Sequence, residues 1–379
     1  MLRVSERRDL EVALPLHLAE PEGDDVRATA ELGQCLVTGA AGFLGRHLVA
    51  ELLRQGLRVR GFDLAPAALH HLHYEHVCGD VTQPEALRKA CAGSDTVFHT
   101  AAVVDFARFS STAQRERAYA VNVRAVEYLV RAAREAGVSR LVHTSSSGVS
   151  GDGPVVDGDE SLPYAARTRD LHTETKLLGE VAALAASGQG GLLCCAIRPG
   201  AIYGPGEARV FPRLVAACAR GRYRARIGDG SARSDNVYID NLVDAEIEAA
   251  RHLLPGSPLC GQAYHINDGR PLDGFEFFRP VVEALGFRQP KRAIPARPLR
   301  LALAFWEWLH VGLAPLGLPR PPLLAHEVEQ MAVPRFHRSD RARRDFGWQP
   351  RVSGQEGIAR MIEPCRRLLA AHESAGTRS

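Results

Sequence analysis

The stretch Thr38-Gly39-Ala40-Ala41-Gly42-Phe43-Leu44-Gly45 closes an apolar run, QCLVT at 34–38. It opens FLGRHLVAELLRQG at 43–56, in which Phe43, Leu44, Leu48, Leu52 and Leu53 fall at helical spacing. Glycines between a strand and a helix meet three physical needs: a tight turn, bare backbone beside a bulky anion, and close packing of helix on strand. The helix N-terminus adds unpaired N–H groups and the positive end of a dipole, so a diphosphate is the expected ligand. The spacing is G-x-x-G-x-x-G, not G-x-G-x-x-G, and on these residues alone a purely structural turn remains the alternative.

Outward from this turn the same rhythm repeats. Strand-like runs at 57–63, 74–80, 95–101, 140–146 and 192–200 alternate with helical patterns at 84–91, near 112–137 and near 170–187. Alternation of this kind predicts an α/β fold, a Rossmann-type doubly wound parallel sheet joined by right-handed crossovers. Beyond Gly204 the rhythm loosens into turns at 204–207, 228–231 and 267–271. The expected organisation is an N-terminal extension over 1–33, a dinucleotide-binding domain over 34–203, and a smaller interleaved substrate lobe over 204–372, some of whose strands return to the sheet.

Asp63 ends the second strand 24 residues after Gly39, near the spacing at which an acid accepts hydrogen bonds from an adenosine ribose. That favours NAD. Arg60, three residues earlier, keeps NADP open as a receiver of the 2′-phosphate.

Composition excludes several other classes. With 45% hydrophobic and 24% charged residues and a net charge of +3, the chain lacks the electrostatic footprint of a nucleic-acid binder. Its eight cysteines are scattered without a C-x-x-C pair, which reads as reduced thiols in a cytoplasmic protein. His70, His71, His73 and His76 cluster without a convincing acidic or thiol set, so no metal is expected. Residues 1–25 mix acids and bases and lack a signal-peptide core. The most apolar stretch, 299–319, is interrupted by Arg300, Glu307, His310 and Pro315, which is too broken for a spanning helix. It is expected to cover an apolar pocket, with plain core or peripheral membrane contact as alternatives.

Several further motifs follow in order: GDV at 79–81, HTAA at 99–102, VNV at 121–123, TSSSGVSG at 144–151, HTETKLLGE at 172–180 and RPGAIYGPG at 198–206. With GQAYHIND at 261–268 and RFHRSDRARRDFGWQP at 335–350, they resemble the extended short-chain dehydrogenase/reductases. Within that group the likeness is to the 3β-hydroxysteroid dehydrogenase and sterol-4-carboxylate 3-dehydrogenase branch, over roughly 34–372. The resemblance implies that Gly39, Ala41, Gly42, Phe43, Leu44 and Gly45 cradle the dinucleotide with Asp63. It implies Asp80 and Val81 beside the adenine, and Thr100, Ala101 and Ala102 on the ribose side. Pro199, Gly200, Ala201 and Ile202 would lie against the nicotinamide. Ser146 would polarise the substrate oxygen, Lys176 would serve both cofactor and catalysis, and Asn122 would stand behind that lysine. A homodimer is expected.

One position departs from the pattern. Where the family carries its acid/base tyrosine, four residues before Lys176, this chain has His172, and Tyr164 lies too far upstream to replace it. Lys176 and an oxidised nicotinamide are both positive and should hold His172 neutral, which suits alcohol oxidation better than carbonyl reduction. The expected activity is interconversion of a secondary alcohol and ketone on a hydrophobic, steroid-like or polyketide-like molecule. Two alternatives stay open: a nucleotide-sugar epimerase or dehydratase, suggested by Arg222, Arg224, Arg226 and Arg233, and a catalytically silent dinucleotide-binding protein.

Overall fold

The computed structural model describes residues 32–66, 69–107, 109–168 and 170–376. Seven parallel strands form the central sheet: β1 (Cys35–Thr38), β2 (Val59–Asp63), β3 (Tyr74–Cys78), β4 (Thr96–His99), β5 (Arg140–Thr144), β6 (Leu193–Pro199) and β7 (Ala263–Ile266). Their spatial order is β7-β6-β5-β4-β1-β2-β3. The order reverses between β1 and β4, and the crevice at the carboxyl ends of these two strands is where such sheets bind ligands.

Alternation along the strands places the core. Cys35, Val37, Phe98, Val142 and Cys195 enter one apolar cluster, while Leu36, Val97, Leu141 and Cys194 enter the other, so the sheet is covered on both faces. All four residues of β1 and of β4 are buried, whereas β3 at the edge is partly exposed.

Helices α1 (Phe43–Arg54), α2 (Pro84–Cys91), α3 (Thr112–Tyr119), α4 (Ala125–Glu135) and α5 (Leu171–Ala185) connect the strands. The single helix expected near 112–137 is divided. A π-helical turn at Ala120–Arg124 separates α3 from α4 and carries the buried Asn122. Such a turn inserts one residue into the helical ladder and re-aims the side chains around it, often at functional sites.

Of the expected extension, residues 1–31 lie outside the described residues. Leu32 is fully buried and its carbonyl accepts the Thr96 hydroxyl at 2.8 Å, so the packed fold starts before Gln34.

The second lobe contains α6 (Val210–Ala219), α7 (Ile239–His252), α8 (Gly274–Ala284), α9 (Ala296–Leu313) and α10 (Ala325–Gln330). β7 returns from it to the sheet edge beside β6. Short parallel pairs join 201–203 to 236–238, 225–227 to 292–294 and 155–158 to 335–337. α9 buries only Leu303 and Glu307. Glu307 Oε1 accepts the Ala325 N–H at 2.6 Å, which seats the start of α10 on α9.

Candidate active site

The glycine turn lies at the crevice. Gly39 has φ of +73°, and a Cβ there would meet the Ala101 N at 2.7 Å, so the segments after β1 and β4 touch through bare backbone. A Cβ on Gly45 would stand 2.0 Å from the Gly39 carbonyl oxygen. Gly42 is exposed at the start of α1, and no side chain caps that helix. Open N–H groups and bare backbone are what a diphosphate requires. Phe43 and Leu44 follow in the first turn, with Leu44 buried in the core.

Asp63 serves this loop directly. Its Oδ2 accepts the Ala41 N–H at 3.1 Å and its Oδ1 accepts the Ala65 N–H at 3.0 Å. Arg60 points elsewhere: it pairs with Glu75 at 2.8 Å and donates to the Ala90 and Ala92 carbonyls. Its guanidinium is thus engaged at the end of α2. Asp80 Oδ1 accepts the Thr82 N–H, and Val81 packs into the core with Phe62 and Leu87. Thr100 donates its hydroxyl to the Thr38 carbonyl at 2.8 Å, and Ala101 and Ala102 are half-buried beside it.

The start of α5 holds the residues in question. Asp170 caps the helix, accepting the Thr173 N–H at 2.8 Å. His172, Thr173, Thr175 and Lys176 are all buried there. The His172 backbone N–H donates to the Asp105 carbonyl at 2.9 Å, which docks the 103–107 segment on the helix. Its ring meets the ring of Phe106 at a centroid distance of 4.8 Å, and its Nδ1 is buried without a hydrogen-bond partner among the described residues.

Asn122 reaches the residue before the lysine. Its amide donates to the Val103 carbonyl and the Thr175 hydroxyl, each at 2.8 Å, and its carbonyl accepts the Val103 N–H. It thereby clamps the 103 segment to α5 one residue before Lys176.

Burial controls the charges. It lowers the Lys176 pKa to about 8, against the pull of Glu246 and Glu180. Lys176 Nζ donates to the Thr144 carbonyl at 2.6 Å. Glu246 of α7 is fully buried and burial pushes it up to about 7, with the Thr144 hydroxyl and Lys176 opposing. His172 is lowered to about 4, first by burial and then by Lys176. It is neutral at pH 7, as its position beside a lysine implied, but burial is the larger cause and leaves it a weak base. His99 and His143, stacked at 5.3 Å beneath the site, are likewise held neutral by burial and Lys176.

Ser146 is half-buried and its hydroxyl accepts the Gly148 N–H at 3.2 Å, capping a short 3-10 turn. Tyr164 is committed: its hydroxyl donates to Glu180 Oε1 at 2.8 Å, and Glu180 is bound by Arg198. Pro199 ends β6, Gly200 packs against Asp235, and Ala201 and Ile202 begin the next short strand, with Ala201 exposed.

Two neighbouring cavities open beside α9. One, of about 380 Å³, is bounded by Leu301, Ala304, Phe305, Trp308 and His326, and the other, of about 560 Å³, by Phe109, Trp308, Leu309 and Leu313. Arg222, Arg224, Arg226 and Arg233 line neither.

Phe106, Asp170, Glu246 and His326 belong to this neighbourhood and were not marked by any motif. Only Asp170 carried a local signal, as an acid immediately before a helical run. All eight cysteines are free thiols, and six of them are buried. Among the described residues no three His, Cys, Asp or Glu converge on one point.

Comparison with known proteins agrees with this geometry. Residues 36–296 match the family described as the 3-beta hydroxysteroid dehydrogenase/isomerase family. The chain is 42% identical over 342 residues to a 3 beta-hydroxysteroid dehydrogenase/Delta 5-->4-isomerase of Mycobacterium tuberculosis, covering 89% of this chain and 92% of that one. It is 39% identical to a 3-beta-hydroxysteroid dehydrogenase of Mycolicibacterium neoaurum, covering 90% and 93%. Among solved structures, MoeE5 in complex with UDP-glucose and NAD superposes with a TM-score of 0.68 at 29% identity, covering 89% of this chain and 100% of that one.

Proposed function

Because this chain belongs to the 3-beta hydroxysteroid dehydrogenase/isomerase family, we propose that it oxidises the 3β-hydroxyl of a steroid-like alcohol with NAD as hydride acceptor. The observation that carries the substrate class is the apolar cavity under Leu301, Phe305 and Trp308, next to the segment that docks on His172. A fused-ring hydrocarbon gains roughly 25 cal/mol for each Å² of apolar surface that such walls take from water.

NAD is supported by the bare backbone of Gly39, Gly42 and Gly45, the open start of α1, and NAD beside a similar fold in MoeE5. Gly39, Ala41, Gly42, Phe43, Leu44 and Gly45 would cradle the diphosphate and Asp63 the adenosine ribose. Asp80 and Val81 would border the adenine, Thr100, Ala101 and Ala102 the ribose side, and Pro199, Ala201 and Ile202 the nicotinamide. The dinucleotide supplies the hydride acceptor. Ser146 donates to the reacting oxygen, and neutral His172 offers that oxygen's proton a hydrogen-bond acceptor. Lys176 adds positive charge near the cofactor, and Asn122 keeps the 103–107 segment and α5 in register.

The face of α9 has a second use in this reading. Leu301, Phe305 and Trp308 are more than half exposed and recur at helical spacing on α9, which also carries Arg297 and Arg300. This face touches a lipid surface, from which an apolar substrate enters the cavity beneath. Among the described residues no helix is long and apolar enough to cross a membrane.

Dissociation constants for a panel of 3β-hydroxysteroids, long-chain ketones and nucleotide sugars, measured with cofactor present, test the substrate class. Steroids are expected to bind tightest. Preference for a nucleotide sugar overturns the reading.

A further inference from the structure

Arg335 opens the short strand Arg335–His337, 187 residues beyond Gly148, yet its guanidinium reaches the loop that follows β5. Nη2 meets the Ser150 carbonyl and stands 3.1 Å from the carbonyl oxygens of both Gly148 and Gly151. Nη1 donates to the Gly153 carbonyl at 3.2 Å. Gly151 and Gly153 have φ of +72° and +67°, so this loop leaves regular structure and turns its carbonyls toward one point instead of into a ladder. A planar guanidinium, with its N–H groups in a fixed fork, is the side chain suited to gather several carbonyls at once.

The Ser146 hydroxyl is tied into the same loop. The Gly148 N–H donates to Ser146 Oγ at 3.2 Å, and the carbonyl of that glycine is one of those beside Arg335. A hydroxyl whose oxygen already accepts an N–H still has its own proton to give, which is the form needed to donate to a substrate oxygen. The short strand also reaches the segment proposed to border the nicotinamide. The His337 N–H donates to Asp235 Oδ2 at 2.8 Å, the Asp235 carbonyl accepts the Ala201 N–H at 3.0 Å, and a Cβ on Gly200 would stand 2.7 Å from the Asp235 Cβ. One strand therefore anchors both the serine turn and the 199–201 segment.

We propose that Arg335 is a positioning residue for the oxidation: by gathering the 148–153 carbonyls it holds the Ser146 hydroxyl at a fixed distance from the nicotinamide segment. The inference rests on the proposed steroid oxidation and on the role given there to Ser146. Arg335 itself moves no proton and touches neither substrate nor cofactor. Its effect is carried by the serine, because a donor displaced by about 1 Å from the oxygen where charge develops costs up to about 10²-fold in rate.

The test uses the full chain with Arg335→Ala, Arg335→Lys and Ser146→Ala made singly, and with each Arg335 substitution combined with Ser146→Ala. The readouts are kcat and KM for oxidation of a 3β-hydroxysteroid and the dissociation constant of NADH. Ser146→Ala is expected to lower kcat by about 10²-fold or more, the usual loss for one hydrogen-bond donor to a developing charge. Arg335→Ala is expected to lower kcat by about 10-fold to 10²-fold, with NADH binding within about twofold of wild type. Arg335→Lys should recover only part of that loss, because an ammonium cannot span the separated carbonyls. In the Ser146→Ala background both Arg335 substitutions should change kcat by less than about twofold, as for two residues acting as a unit. Where Arg335→Ala does not fold, Arg335→Lys in the two backgrounds decides by the same comparison, and failure of both to fold overturns the proposal. A wild-type kcat in either Arg335 variant or in Ser146→Ala, an equal fold loss in both backgrounds, or a loss explained by weaker NADH binding also overturns it while steroid oxidation stands. A wild-type chain that binds NADH but does not oxidise the steroid removes the proposed function and this assignment together.

Discussion

Lys176 Nζ donates to the carbonyl of Thr144 at 2.6 Å, while the hydroxyl of that same threonine donates to Glu246 Oε1 at 2.6 Å. One residue at the end of β5 thus links a buried ammonium to a buried carboxyl group whose other oxygen has no hydrogen-bond partner among the described residues.

That link gives stability a pH dependence. Glu246 titrates near 4.5 when solvated and at about 7 in the fold, chiefly through burial, so the folded chain holds a proton that the unfolded chain has released. The contribution is complete below about pH 4.5 and is lost as pH rises through about 7, amounting to about 3 kcal/mol at most. Glu246→Gln keeps the neutral form at every pH. Thermal melts should show it matching wild type near pH 5 and exceeding it at pH 8, and an equal gap at both values would remove Glu246 as the source.

Cofactor choice should follow the carboxylate at the end of β2. Asp63 meets a 2′-phosphate as a like charge, and Arg60 is engaged with Glu75 and α2. NADH should therefore bind more tightly than NADPH, and Arg60→Ala should leave that preference unchanged. Gly42→Val should weaken binding of both, since a side chain there stands where the diphosphate needs bare backbone. Titrations by fluorescence quenching check all three, and tighter NADPH binding by the wild type would reverse the assignment.

His172→Tyr should raise ketone reduction by about 10²-fold, because a neutral imidazole titrating at about 4 has no proton to spare at pH 7 and a tyrosine hydroxyl beside Lys176 does. Rates in both directions for wild type, His172→Tyr and His172→Ala decide this. Equal reduction rates in all three would make the residue at 172 a bystander.

The parts of the fold that depend on local chemistry were legible in the sequence. The glycine turn, α2 at 84–91 and the alternating strands each follow from spacing that a single segment carries. The break at Ala120–Arg124 was not legible, because its residues have no helix-breaking glycine or proline and the turn is held by Asn122 bonding to distant Val103 and Thr175. The site divides in the same way. Lys176 and His172 share one helix and one motif, whereas His326 and Glu246 arrive from the second lobe, 150 and 70 residues after Lys176, and only tertiary packing brings them near. Asn122 was found by its motif, but its partners Val103 and Thr175 were not, since a short polar side chain reaches whatever the π turn aims it at.

Trp308 borders both cavities, and its indole offers a broad apolar face. Trp308→Ala should weaken steroid binding by about 2 kcal/mol, roughly 30-fold, if about 80 Å² of contact is lost. NADH binding should not change. An unchanged steroid dissociation constant would move the substrate out of these cavities.

Steroid oxidation by hydride transfer to NAD has an isotopic signature. With a 3β-hydroxysteroid deuterated at the carbinol carbon, mass spectrometry of both products follows the label. One deuterium is expected in the reduced dinucleotide for each 3-ketosteroid formed. Absence of both the labelled dinucleotide and the ketone, from protein shown to bind NADH, would contradict it.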